Sequence, residues 1–209
     1  MRQQRSTNGT SFEISGENNL PAVILIHGLG LSKDMWKEFI PNLLKSYKVI
    51  TFDLFGHGKS DPLDATPDLD LFVNQILELL LYLNIKKAHL IGFSIGGMIN
   101  RKFAVNYPSK VLSLIILNSP HKRDKELQKI VEKRAKLVFS EGALATLDDA
   151  LKRWFTNDFR LVRTDVLTLV REWRKRVDEK SYAQIAEVLA TGVKELINQE
   201  FNDRTPTLV

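Results

Sequence analysis

The stretch that decides the fold is Ala88-His89-Leu90-Ile91-Gly92-Phe93-Ser94-Ile95-Gly96-Gly97. Residues 88–91 are a short apolar run that reads as a buried strand, and residues 97–104 read as a helix that stops before Pro108. Between them, Gly92-Phe93-Ser94-Ile95-Gly96 has the pattern G-x-S-x-G. Strand, sharp turn and helix form the setting in which this pattern holds a serine hydroxyl at the tip of a strained turn, pointing into a cleft. Gly92 and Gly96 are needed because a Cβ at either flank would collide with the neighbouring strand or helix. The pattern by itself arises by chance in about one chain in fifteen of this length, so its surroundings decide how it is read.

Working outward, Ala22-Val23-Ile24-Leu25-Ile26 is a continuous apolar run rich in β-branched residues, as expected of a parallel strand buried on both faces. It ends in His27-Gly28-Leu29-Gly30. Ser32 then fits a helix cap with Asp34 in the first turn. Met35, Trp36, Phe39, Leu43 and Leu44 supply that helix's apolar face, and Pro41 bends or shortens it. Lys48-Val49-Ile50-Thr51-Phe52 is the next strand, running into Asp53-Leu54-Phe55-Gly56-His57-Gly58-Lys59-Ser60. Thr66-Pro67 predicts a helix start, with apolar residues recurring at helical spacing from Leu69 through Leu83. Val111 to Leu117 is a fourth core strand, ending in Asn118-Ser119-Pro120. Near the N-terminus, Asn8-Gly9 predicts a two-residue hairpin turn, and Ser11 to Ile14 an exposed antiparallel strand. Strands alternating with helices imply a mostly parallel sheet with right-handed crossovers. Ligands sit beyond the carboxyl ends of such strands. The loops after Ile26, Phe52 and Ile91 all lie there.

From His121 to Asn202 the pattern becomes helical and more charged, with no convincing strand. Thr205-Pro206-Thr207-Leu208-Val209 then begins another strand. The expected organisation is an α/β core over residues 1–120, an all-helical insertion over 121–202, and the start of the next core strand over 203–209. The 209 residues carry 30 Lys and Arg against 25 Asp and Glu, a formal charge of +5 with no nucleic-acid motif beside it. No nucleic-acid partner is expected. The absence of cysteine excludes disulfides, thiolate metal sites and a cysteine nucleophile. No apolar run approaches membrane-spanning length, and no apolar segment follows the basic N-terminus as in a secretory signal. A cytoplasmic location and no membrane partner are expected. Oligomeric state is not legible.

His27-Gly28-Leu29-Gly30, then Asp53-x-x-Gly56-x-Gly58-x-Ser60, then Gly92-x-Ser94-x-Gly96 stand in the order found in the α/β-hydrolase superfamily, and nearly the whole chain resembles it. The helical stretch corresponds to the cap these enzymes insert over the site. Glu141-Gly142-Ala143-Leu144, Arg153-Trp154-Phe155-Thr156 and Tyr182-Ala183-Gln184-Ile185-Ala186 are similar to the caps of 3-oxoadipate enol-lactonases and related small-ester hydrolases.

The resemblance implies that Ser94 attacks an ester or lactone carbonyl and forms an acyl-enzyme. It implies that the backbone N–H groups of Leu29 and Ile95 receive the oxyanion, and that no metal or organic cofactor takes part. His27, Gly28, Asp53, Gly56, Gly92 and Gly96 are expected to shape the loops. His57 is expected to do likewise or to rim the site. His89 and the tryptophans Trp36, Trp154 and Trp173 read as core. In the superfamily the triad acid follows the strand that begins here at Pro206, and the histidine follows a further strand. No histidine follows His121. His121 itself and Asn118, which occupies a place where some relatives carry an acid, do not fill the gap. The chain is therefore expected to be a C-terminally truncated hydrolase lacking its triad acid and histidine. The alternative is a non-catalytic binding module that keeps the cleft.

Overall fold

A computed structural model describes residues 2–197 and 205–209. The expected 202/203 boundary between the helical stretch and the last strand lies outside the described residues. Seven strands form one sheet in the order β1-β2-β4-β3-β5-β6-β7. They are β1 (Arg2–Arg5), β2 (Ser11–Ser15), β3 (Ala22–Ile26), β4 (Lys48–Phe52), β5 (Ala88–Phe93), β6 (Val111–Leu117) and β7 (Thr207–Leu208). β1, β2 and β4 pair antiparallel, and from β4 to β7 every pairing is parallel.

β3 lies between β4 and β5, so the chain leaves it toward one edge and later returns on its other side. That reversal of strand order opens a crevice at the carboxyl ends of β3 and β5. The two loops singled out first, His27–Gly30 and Gly92–Gly96, meet there.

The strand run Ala22–Ile26 is buried throughout, and its alternate residues enter different cores. Ile24 and Ile26 join Ile50, Phe52 and Leu90 against α2 (Leu69–Tyr82) and α3 (Ile95–Asn106), which contribute Phe72, Ile76, Met98 and Phe103. Val23 and Leu25 face the other way, onto Trp36 and Ile40. Each such side chain contributes about 1.5–3 kcal/mol on leaving water, so the register of β3 is fixed from both faces. Ser32 caps the segment after β3 by accepting from the Asp34 N–H at 3.0 Å. Pro41 splits that segment into a 3-10 turn, Lys33–Trp36, and a short α1 (Ile40–Leu43).

Three local expectations are corrected. The hairpin turn spans Ser6–Thr10 rather than two residues, with the Ser6 N–H donating to the Thr10 carbonyl. β2 is not exposed: paired on both sides, it buries Phe12 completely. α2 starts at Leu69 under the cap Asp68, whose carboxylate accepts from the Leu71 N–H at 2.9 Å, and not at Thr66-Pro67.

After β6 come α4 (Lys125–Glu141), α5 (Leu147–Trp154), α6 (Asn157–Val162), α7 (Thr164–Lys175), α8 (Glu179–Thr191) and α9 (Val193–Leu196). Val138, Tyr182 and Ala183 of α4 and α8, with Ala143 and Val177, pack on Leu29. Leu147, Leu151 and Val170 of α5 and α7 pack on Leu31, Met35 and Phe93. The helical layer thus rests on the loop after β3. Ile185, Val188, Val193 and Leu196 of α8 and α9 continue into the main core beside α2 and α3.

Candidate active site

Ser94 stands between β5 and α3 with φ +56° and ψ −117°, a left-handed backbone that non-glycine residues adopt only when held there. The surroundings hold it. The Ser94 N–H donates to the Leu117 carbonyl at 3.0 Å, and the Gly97 N–H donates to the Ser94 carbonyl at 3.0 Å. A Cβ on Gly92 would overlap the Gly96 carbonyl, and one on Gly96 would overlap the carbonyl oxygens of Ile26 and His27. α3 can therefore pass against the end of β3 only because both residues are glycine. The Ser94 side chain makes no capping hydrogen bond to α3, and the residue lines the crevice.

The loops after β3 and β4 are tied to each other by two histidines in a reciprocal arrangement. His27, on the first loop, accepts at Nε2 from the Leu54 N–H of the second at 2.9 Å. His57, on the second, accepts at Nε2 from the Gly30 N–H of the first at 2.9 Å. Their Nδ1 atoms donate to the carbonyls of Gly28 and Phe55 at 2.8 and 3.1 Å. Both rings are buried, with centroids 5.1 Å apart. Burial pulls the His27 imidazole down to about 4. Burial, with the nearby His27 ring second, pulls His57 down to about 3. Both are neutral near pH 7, which matches Nε2 acting as an acceptor.

These bonds do not use the Leu29 amide. Gly28 supplies its carbonyl to His27 and to the Leu31 N–H, and Gly30 gives its N–H to His57. The Leu29 N–H between them has no partner among the described residues, and neither has the Ile95 N–H at the start of α3. Ile95 follows Ser94 directly, and Leu29 and Ser94 line one cavity. Gly28 sits under this loop, where an added Cβ would press on the Phe93 ring.

Asp53, 1% exposed, organises the second loop. Its Oδ1 accepts from the Lys33 N–H at 2.8 Å; its Oδ2 accepts from the Lys59 N–H at 3.1 Å and from Lys33 Nζ at 3.3 Å. Lys33 is only 5% exposed and also lies 3.5 Å from Glu13. Burial opposes its charge, but Asp53, Asp34 and Glu13 outweigh that and hold its pKa above the ordinary lysine value. Gly56 has φ +74°, and a Cβ there would overlap Ser181. This close fit lets the Asp178 N–H at the start of α8 donate to the Gly56 carbonyl at 3.0 Å, while Ser181 Oγ accepts from the Leu63 N–H at 2.9 Å. Gly56 thus joins the loop to the helical layer.

The cavity shared by Leu29 and Ser94 encloses about 340 Å³ between the strand ends and α4, α5, α7 and α8. A larger, shallower hollow of about 650 Å³ lies among α5, α6 and α7 and does not include Ser94. The serine's cavity is walled by apolar side chains such as Val131, Val138 and Leu189, and by Arg123, Arg134, Arg153 and Arg174. Two expectations change here. Trp154 is not core: it is 39% exposed and lines this cavity. His89 is half-buried at the sheet surface, its Nδ1 2.7 Å from Ser113 Oγ. His121 is exposed beside Arg101 and is not part of the wall. The arginines and Lys33 were not anticipated from the sequence. One signal was available for Arg134: it falls three residues after Val131 and four before Val138, on the inward face of α4.

A sequence model of the alpha/beta hydrolase fold matches residues 21–199. The chain belongs to the α/β-hydrolase fold family. Among curated members of that family it is 30% identical to an (E)-2-((N-methylformamido)methylene)succinate hydrolase of Acinetobacter baylyi over 190 residues, covering 90% of this chain and 70% of that one. It is 32% identical to a 3-oxoadipate enol-lactonase of the same organism over 149 residues, 71% of this chain and 55% of that one. The crystal structure of an α/β-hydrolase relative, the enol-lactonase of Burkholderia xenovorans, superposes with a TM-score of 0.81 at 27% identity, covering 88% of this chain and 72% of that one. The chain thus spans between about half and three quarters of the length of these relatives. Among the described residues, no helix of this α/β-hydrolase is long and apolar enough to cross a membrane, and no cluster of three or more His, Asp or Glu is placed to hold a metal ion.

Proposed function

We propose that this α/β hydrolase cleaves a small carboxylic ester or lactone with Ser94 as nucleophile, the helices between Lys125 and Leu196 acting as a cap over the reacting bond. The observation that carries the reading is the strained Ser94 turn in one cavity with the unpartnered Leu29 N–H. In this reading Ser94 Oγ bonds to the carbonyl carbon, and its proton passes to a general base. The carbonyl oxygen takes up negative charge facing the N–H groups of Leu29 and Ile95. As the intermediate collapses, the ester C–O bond breaks and the alkoxide or enolate leaves with the proton. Water then releases the acid from the acyl-enzyme. Each oxyanion donor of this kind contributes about 3–4 kcal/mol to the transition state, and the positive end of α3 adds to it.

The base and its orienting acid follow the nucleophile in this family's chain order. No described residue near Ser94 fills either role, and the chain spans about half to three quarters of the length of these relatives. The names of the two Acinetobacter relatives and of the Burkholderia structure favour a lactone or amide-like acyl substrate over a long-chain ester. The test is Ser94→Ala in the full-length protein. It is expected to lower turnover of short p-nitrophenyl esters and of enol lactones by about 10³-fold or more, with an unchanged unfolding midpoint. Retained turnover overturns the assignment.

A further inference from the structure

The serine's cavity has a basic lining. Four arginines line it and no acidic side chain does. Two of the four have structural work. Arg123 donates to the carbonyls of Leu189 and Ala190, both at 3.0 Å, and fastens the segment before α4 to α8. Arg174 is 2% exposed, donates to the Ala143 carbonyl at 3.1 Å and lies over the Tyr182 ring at 4.5 Å; its buried Nε has no partner.

The other two do not. Arg134, on α4, makes no hydrogen bond or ion pair among the described residues although it is half-buried. Arg153, on α5, has only a long 3.4 Å contact to the Asp149 carbonyl of its own helix. Burial first and then the charge of Arg153 disfavour the protonated form of Arg134, outweighing the pull of Asp149, and burial and Arg153 disfavour that of Arg174 against the pull of Tyr182. Guanidiniums remain charged in proteins. Bringing several together beside apolar walls is unfavourable unless something negative joins them.

We infer that Arg134 and Arg153 are the specificity-determining residues of this site and that its substrate is an acyl compound carrying a free carboxylate, which those two guanidiniums grip while Ser94 faces the scissile carbonyl. This rests on the reading of Ser94's cavity as the reaction site. The apolar wall formed by Val131, Ala135 and Val138 would cover the chain between carboxylate and carbonyl. The cavity's 340 Å³ is at the small end for ligand sites, which suits a short dicarboxylic half-ester or a carboxylated lactone. A guanidinium fork matches a carboxylate with two parallel hydrogen bonds, a geometry that a neutral ester cannot use.

Binding can be read from the protein itself, because Trp154 lies in the wall and its fluorescence reports occupancy. The probes are adipate, its neutral dimethyl ester and inorganic phosphate. Adipate is expected to bind at least ten-fold more tightly than dimethyl adipate, with an affinity that falls as salt rises. Arg134→Gln and Arg153→Gln are each expected to weaken adipate about ten-fold or more, to leave dimethyl adipate unchanged and to restore parity between the two probes. Arg134→Lys should recover part of the loss, because the charge returns without the fork. Equal binding of the diester, or unaltered adipate binding in both Gln variants, overturns the inference. Phosphate binding as tightly as adipate overturns the carboxylate assignment. Ser94→Ala should bind adipate normally, so loss of the hydrolase reading would show in turnover and not in these titrations.

Discussion

The two buried histidines make stability depend on pH in a window where little else titrates. The perturbation is acidification from pH 7.5 to pH 5.0. In the unfolded chain both imidazoles titrate near 6.5, whereas in the folded protein His27 does so at about 4 and His57 at about 3. Because the folded values are lowered, the unfolded state binds more protons between them, and stability rises with pH. The contribution is complete above about pH 6.5 and is lost as pH falls toward the folded values. At pH 5.0, linkage gives a loss of about 2 kcal/mol for each histidine, or about 4 kcal/mol together. That is a large part of the 5–15 kcal/mol typical of a folded domain.

The structural cause is specific. Protonating Nε2 turns the acceptor for the Gly30 or Leu54 N–H into a second donor facing it. Other groups fall outside the window or add little. Asp178, whose carboxyl is held low by bonds from Ser181, loses its contribution only below about 3.8. Lys33, raised by Asp53 after burial has pulled the other way, loses its contribution only above about 10.5. Half-buried His89 is lowered by burial and acts in the same direction. Urea unfolding followed by far-UV circular dichroism at the two pH values measures the loss. His57→Gln, which keeps an acceptor oxygen for Gly30, should reduce it by about 2 kcal/mol. A total loss below about 1 kcal/mol, or an unchanged loss in the Gln variant, would refute the reasoning.

Two further substitutions probe the scaffold. Asp53→Ala removes the acceptor of two backbone N–H groups and a partner of buried Lys33, at an expected cost of about 3–5 kcal/mol; this lowers Tm by about 6–20 °C for a chain of this size. Adding Lys33→Met should recover part of that loss in thermal melts, and no recovery would show that the stranded charge was not the cause. Gly96→Ala places a methyl against the backbone oxygens of Ile26 and His27, which have no flexible side chain to yield, so a loss of about 2–3 kcal/mol is expected. A melt like that of the parent protein would remove the steric account of this glycine.

The core was legible because its signals are local. Ala22–Ile26 is an uninterrupted apolar run and Val111–Leu117 is broken only by Ser113, and a buried strand suits both in a chain that alternates with amphipathic helices. The turn at Ser94 was legible because strand, glycine and helix follow one another directly. What the sequence concealed depended on contacts distant in the chain. Lys33 looks like a surface lysine until Glu13 and Asp53 are brought to it from β2 and the end of β4. Asp68 and Thr66-Pro67 are competing helix starts, and only packing of Leu69 and Phe72 on the sheet selects the former. Trp154 and Arg153 follow the helical spacing of core and solvent positions, yet both face a cavity whose opposite wall comes from residues 29 and 94. A helix wheel cannot distinguish an arginine on open surface from one that lines a cavity.

The site is thus held by two kinds of restraint that respond differently to change. Around Ser94 and Leu29, geometry is set by backbone contacts: glycines that admit no Cβ, and two neutral histidines that take the Gly28 carbonyl and the Gly30 N–H on either side of Leu29, whose own N–H has no partner among the described residues. Substitutions there are expected to act on folding and on the proposed oxyanion donors together. Around Arg134 and Arg153, the groups stand on helices and make few bonds of their own, so their exchange is expected to leave the sheet intact. Acidification separates the two. It reaches the histidine pair between pH 6.5 and 4, while the guanidiniums stay charged throughout. If the histidines hold the Leu29 loop, acid must weaken the reaction centre before it weakens carboxylate binding, and adipate binding must persist at pH values where folding has already lost several kcal/mol. Parallel loss of both would mean that the helical layer, and not the histidine pair, sets the position of Leu29.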